Sequence, residues 1–189
     1  LNDNLVMMGS LTESQMADAM SAVIKVDKES VDKIVKSDGK INELRSIIDN
    51  QITTVLVKRA PMAVDLRITI STMKISHDLE RIGDLAKSVA KKVKPLPVDL
   101  PDELTASLRR LGDLVQKQLK DVLDAYLNKS KEKAIEIWRK DEQVDDLTNL
   151  AMNEVATYLQ KDKKNLEIAT HLLFVTKNIE RAGDHITNI

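Results

Sequence analysis

Leu79-Glu80-Arg81-Ile82-Gly83-Asp84 returns as Ile179-Glu180-Arg181-Ala182-Gly183-Asp184, 100 positions further along the chain, and this repetition decides the fold. Upstream the same offset pairs apolar with apolar: Leu66 with Leu166, Ile68 with Ile168, Met73 with Leu173 and Ile75 with Val175. An earlier segment repeats at an offset of 103, Asp38-Gly39-Lys40-Ile41-Asn42 against Asp141-Glu142-Gln143-Val144-Asp145, with Ile34, Leu44, Ile52 and Leu56 facing Ile137, Leu147, Val155 and Leu159. The chain is therefore two copies of one unit, with a short insertion or deletion in the loop between these two segments.

Apolar residues spaced by three and four, with breakers between them, divide each copy into three helices. The spacing predicts helices over residues 3–27, 31–58 and 62–93, and again over 102–128, 131–160 and 165–189. Pro61 suits a helix start, where its missing N–H is harmless, and Lys58-Arg59 suits the end of the helix before it. The three prolines of Lys94-Pro95-Leu96-Pro97-Val98-Asp99-Leu100-Pro101 forbid helix and predict an extended connector. The expected architecture is all-α: a tandem pair of antiparallel three-helix bundles, six long helices, with the first bundle over 1–93, the connector over 94–101 and the second bundle over 102–189. Helices of about 25 residues are about 37 Å long, so two bundles in tandem predict an elongated molecule.

Composition agrees with helix and narrows function. Of the 189 residues 31% are charged and 42% hydrophobic, but only 2% are aromatic, which implies an aliphatic core. A net charge of −1, with both signs interspersed, argues against a nucleic-acid partner. Without cysteine there is no thiolate ligand and no thiol nucleophile, so a metal site must use oxygen or one of three histidines. The apolar runs are far shorter than the roughly 20 residues of a membrane helix. The sequence opens at Leu1 without a signal-peptide pattern and closes at Ile189 inside a helix-like stretch, so it reads as a segment trimmed at both ends, with the cytoplasm as the expected compartment. Met7, Met8, Met16 and Met20 read as adaptable packing on the first helix.

At 100° per residue Val64, Ile68, Ile75, Leu79, Ile82, Ala86, Val89 and Val93 form one stripe, and Glu80 and Asp84 point away from it. Glu180 and Asp184 stand in the same relation to Ile168, Leu172, Val175, Ile179, Ala182 and Ile186. Like charges one turn apart repel by a few tenths of a kcal/mol, and a helical Gly83 or Gly183 costs about 1 kcal/mol against Ala. Both costs occur twice in register, which points to a site for a hard cation, with room beside the carboxylates for water or a second helix. Asp141 and Asp145 form a second pair on the preceding helix, so four carboxylates converge if the helices are antiparallel. In the first copy the matching pair is Asp38 and Asn42, which predicts weaker or different metal binding. The competing reading is a solvated face, with Arg81 and Arg181 pairing with acids such as Asp78.

His77, His171 and His185 occupy unrelated repeat positions and predict no shared role, although His77, one turn before Glu80, is placed to touch a first-copy metal. Glu167 and His171 are four apart, not the three of a di-iron bundle. There is no glycine-rich phosphate loop and no Gly-x-Ser-x-Gly. No catalytic residue is assigned. An enzyme reading rests on metal-assisted hydrolysis needing Asp145 and Asp184, and a purely structural reading makes the chain a helical adaptor.

Pro61-Met62-Ala63-Val64-Asp65-Leu66-Arg67, Lys74-Ile75 and Leu79-Glu80-Arg81-Ile82-Gly83-Asp84 resemble the PhoU family of phosphate-uptake regulators. Asp141-x-x-Val144-Asp145-x-Leu147 and Glu180-Arg181-Ala182-Gly183-Asp184-His185-Ile186-Thr187-Asn188-Ile189 resemble the motifs of its second half, and the likeness covers essentially the whole chain. The resemblance implies a cytoplasmic protein, homodimeric, that represses the phosphate-starvation response and restrains uptake. It implies action through the ATPase subunit of the high-affinity phosphate ABC transporter and the sensor histidine kinase PhoR. It also implies divalent or trivalent metal ions, iron or zinc in multinuclear clusters among related proteins. The implied ligands are Glu80, Asp84, Asp141, Asp145, Glu180 and Asp184, with Asp38 and Asn42 as a degenerate pair whose amide departs from the motif.

Overall fold

Leu104, Leu108, Leu111, Val115, Leu119 and Val122 recur at three- and four-residue spacing, and all six are buried, which fixes the inner face of the fourth helix. The same periodicity shapes every element of the computed structural model, which describes residues 1–189. The helices are α1 (Asn2–Lys25), α2 (Val31–Arg59), α3 (Val64–Lys91), α4 (Asp102–Leu127), α5 (Lys131–Arg139), α6 (Asp141–Lys161) and α7 (Leu166–Thr187), with one 3-10 turn at Lys163–Asn165. Helices α1, α2 and α3 pack on one another as the first bundle, and α4, α6 and α7 as the second, with α5 laid against α4. No helix is long and apolar enough to cross a membrane.

The bundles do not follow one another end to end, as the expectation of an elongated molecule required. They lie side by side, α1 against α4 and α3 against α7, and their interiors merge into one core of 39 buried residues. The α1–α4 contact is reciprocal. A side chain at Gly9 would meet Leu123 Cδ1 at 2.9 Å, and one at Gly112 would collide with Met20; each pair sits at equivalent repeat positions. Met8, Met16 and Met20 are in this core, whereas Met7 is exposed. Between α3 and α7, His185 Nδ1 lies 2.9 Å from Asp78 Oδ1, and Asn178 Nδ2 donates to Ser88 Oγ at 3.1 Å.

Four local expectations are corrected. The helix expected over 131–160 is broken at Lys140, whose carbonyl accepts from the Gln143 N–H and from Gln118 Nε2 of α4 instead of continuing the ladder. The connector is not wholly extended: i→i+3 bonds carry it in turns to Leu96, which is fully buried and anchors it. Pro61 is not the first helical residue; α3 begins at Val64, after Ala60 and Ala63 adopt positive φ of 42° and 50°. Finally, Val64 and Ile68 belong to the apolar stripe by angle but are exposed.

Candidate metal centre

The motif carboxylates lie along the seams between the second and third helices of each bundle, and the motif glycines make those seams close. A side chain at Gly83 would stand 3.0 Å from Ile41 Cδ1 of α2, and one at Gly183 would stand 3.2 Å from Val144 Cγ1 of α6. The glycines thus admit the second helix, the alternative to water that their spacing allowed.

In the first seam the acids are already paired. Lys87 Nζ lies 2.6 Å from Asp38 Oδ2 and 2.7 Å from Asp84 Oδ1, and Arg45 Nη1 lies 2.7 Å from Glu80 Oε2. The Asp38 side chain is only 5% exposed. It also accepts from Gln15 Nε2 and Asn42 Nδ2, both at 3.3 Å, so Asn42 serves as a donor to its own pair. Gln15 in addition donates to the Gly83 carbonyl at 2.9 Å, tying α1 to both seam helices. Burial lowers the Lys87 pKa, but the hydrogen bonds it donates to Asp38 and Asp84 outweigh this and hold the ammonium above the ordinary lysine range. Arg81 reaches Asp84 only at 4.0 Å, and Asp78 is taken by His185, not by Arg81 as the solvated-face reading had it. His77 does not bond Glu80; it lines a surface cavity of about 480 Å³ with Arg45, Lys74, Asp78 and Asn188. Every carboxylate of this seam already has a cationic side chain as partner, so in charge the set does not fit a metal ion.

The second seam is built on the same plan without the cations. Asp141 and Asp145 from α6 face Glu180 and Asp184 from α7. Burial and then the charges of Asp145, Asp184 and Glu180 push the Asp141 carboxyl above its ordinary range. Burial and the charges of Glu180 and Asp145 do the same to Asp184, partly offset by Lys177 and His185. Asp141, Asp145 and Asp184 make no ion pair; only Glu180 has one, with Lys177 Nζ at 2.6 Å. Nearby acceptors are also idle, since Gln118 Oε1 and Thr148 Oγ1 are buried with no hydrogen-bond partner. An all-oxygen set with excess negative charge and unpartnered buried oxygens fits a hard cation in its donor chemistry. No three His, Asp or Glu side chains anywhere in the structure stand in ready-made ligating geometry.

Besides Asn42 in place of an acid, the seams differ at two repeat positions outside the acidic motif, which supply the first seam's cations. Arg45 corresponds to Thr148 and Lys87 to Thr187, by the same offsets of 103 and 100 that align the motifs. Both substitutions were available in the sequence; nothing there said that Arg45 and Lys87 reach across a seam to Glu80 and Asp38.

The PhoU domain family matches residues 5–93 and 108–189, nearly the whole of both bundles. The chain belongs to the PhoU family. Among its relatives, the phosphate-specific transport system accessory protein PhoU homolog of Caulobacter vibrioides is 42% identical over 190 residues, covering 100% of this chain and 83% of that protein. The homolog of Rhizobium meliloti is 39% identical over 96% of this chain and 77% of its own length. The crystal structure of PhoU from Pseudomonas aeruginosa superimposes with a TM-score of 0.94 at 32% identity, covering 99% of this chain and 90% of that one. The phosphate transport system regulatory protein PhoU of Streptococcus pneumoniae gives 0.90 at 31% identity, covering 99% and 88%. The paired three-helix bundles of this PhoU-family chain are thus a shared architecture.

Proposed function

We propose that this chain is a negative regulator of the phosphate-starvation response and a modulator of high-affinity phosphate uptake. It works in the cytoplasm as a homodimer and docks on the ATPase subunit of the phosphate ABC transporter and on the PhoR sensor kinase. The observation that carries this reading is the match along the whole chain to relatives named as accessory proteins of phosphate-specific transport. The merged core supports an adaptor role, because two bundles sharing one interior present their outer faces in fixed relation.

Within this reading the second seam is the cation-responsive part. Asp141, Asp145, Glu180 and Asp184 would hold a divalent or trivalent ion, which when bound supplies the positive charge their mutual repulsion lacks. The first-copy residues Asp38, Glu80 and Asp84 hold α2 against α3 through Arg45 and Lys87, with Asn42 donating to Asp38. Relief of repulsion between α6 and α7 matters to the whole molecule because α7 also packs on α3. The test is a phosphate-starvation reporter in cells deleted for the gene and grown in high phosphate. The reporter is expected to be constitutively active in the deletion and silenced by the wild-type gene; a reporter that stays silent without the gene refutes the regulatory role.

A further inference from the structure

The two seams share a backbone plan and differ in charge, and the difference is confined to a few side chains. The first seam holds three carboxylates, Asp38, Glu80 and Asp84, against the bonded cations Arg45 and Lys87. The second holds four, Asp141, Asp145, Glu180 and Asp184, against Lys177, whose side chain is 53% exposed and which touches Glu180 alone. Lys87 contacts one acid from each helix of its seam, Asp38 on α2 and Asp84 on α3, and so does the bridging task of an inorganic cation. Its counterpart Thr187 spends its hydroxyl on the Asp184 carbonyl, and Thr148, the counterpart of Arg45, leaves its hydroxyl unbonded.

We infer that the first bundle carries its cation as a side chain: the Lys87 ammonium, with Arg45 on Glu80, takes the role of a metal ion there. This half therefore takes up no metal and stays closed at every metal concentration, and metal dependence is confined to the second bundle. A metal ion entering the first seam would have to displace an ammonium held by two short charge-assisted bonds, one of them to a carboxylate almost wholly removed from water. The contrast with the second seam rests on the cation reading proposed above; exclusion of metal from the first seam does not.

The test uses Mn2+ alone as the probe, followed by calorimetric titration and by the loss of its free-ion electron paramagnetic resonance signal. The starting protein is the full chain with Asp141→Asn, Asp145→Asn and Asp184→Asn, which removes most of the second seam's charge. This protein is expected to show no saturable Mn2+ binding. Adding Arg45→Thr and Lys87→Thr should create about one site per chain, lost again on Asp38→Asn, with helical circular dichroism as the check on folding. Mn2+ binding by the starting protein that disappears on Asp38→Asn would overturn the inference, and so would a folded threonine variant that gains no site. Should the threonine variant not fold, the reciprocal change, Thr148→Arg with Thr187→Lys in the wild type, decides: it should raise the metal-free melting midpoint and abolish any Mn2+-induced rise, and an unchanged midpoint overturns the inference. A wild type that binds no Mn2+ beside a threonine variant that does would refute the second seam as a cation site and uphold the role of Lys87.

Discussion

Lys87→Met removes one positive charge from the first seam while keeping the length of the side chain and nearly all of its helix propensity. The two acids it leaves are not equivalent. Asp38 is 5% exposed and approaches the limit at which stranding a buried charge costs about 3–5 kcal/mol, whereas Asp84, at 39%, approaches the exposed limit of about 0.2–1 kcal/mol. Asp38 keeps its bonds from Gln15 and Asn42, both long at 3.3 Å, and the open side of the seam lets water reach the vacated position. These terms together place the loss near 2 kcal/mol, or a fall of about 4–8 °C in melting temperature for a chain of this size. Thermal and urea denaturation followed by circular dichroism at pH 7 measures it, with Lys94→Met, whose pair with Asp32 is exposed on both sides, as a control expected to lose under about 0.5 kcal/mol. The sign with pH is fixed too: because Lys87 is held above its ordinary 10.5, its contribution is complete below that value and fades as pH rises through the raised value. The gap between wild type and variant should therefore stay level from neutral pH up to the lysine range and close above it. A Lys87→Met loss no larger than that of Lys94→Met would refute the idea that this ammonium holds the seam.

Asp141→Asn should stabilise the metal-free protein at neutral pH by about 0.5–1 kcal/mol, since it relieves a like-charge pair one turn apart and repulsion across the seam. With the Asp141 and Asp184 carboxyls raised by burial and by neighbouring charges, the folded state binds the extra protons, so metal-free stability should fall as pH climbs from the ordinary carboxylate range towards neutrality, and fall less in the variant; urea midpoints between pH 4 and 7 check both. Gly112→Val should cost about 1–3 kcal/mol by driving a side chain into Met20 across the α1–α4 contact. Gly39→Ala, at a helical position with nothing within 4 Å, should gain about 0.5–1 kcal/mol.

The bundles were legible because burial repeats every three to four residues and because two copies of the pattern vouch for each other. Their side-by-side packing was not, since the reciprocal Gly9–Leu123 and Gly112–Met20 contacts join positions that carry no marked motif. Lys140 reads as an ordinary helical residue; the folded chain breaks the helix there and turns its carbonyl towards Gln118, 22 positions earlier. The acidic pairs were visible as one-turn spacings, and the helix order brings them to the seams. What decides their chemistry is off-motif: a lysine one turn beyond Asp84 and an arginine one turn beyond Ile41 reach across to acids whose nearness only the folded chain reveals.

The most direct test of the central claim, one plan with its charge closed by side chains in the first bundle and left open in the second, is an anomalous difference map from crystals of this chain soaked in Mn2+. The account predicts density at the seam of Asp141, Asp145, Glu180 and Asp184, and none beside Lys87. Density between Asp38 and Asp84, or none at the second seam, would contradict it.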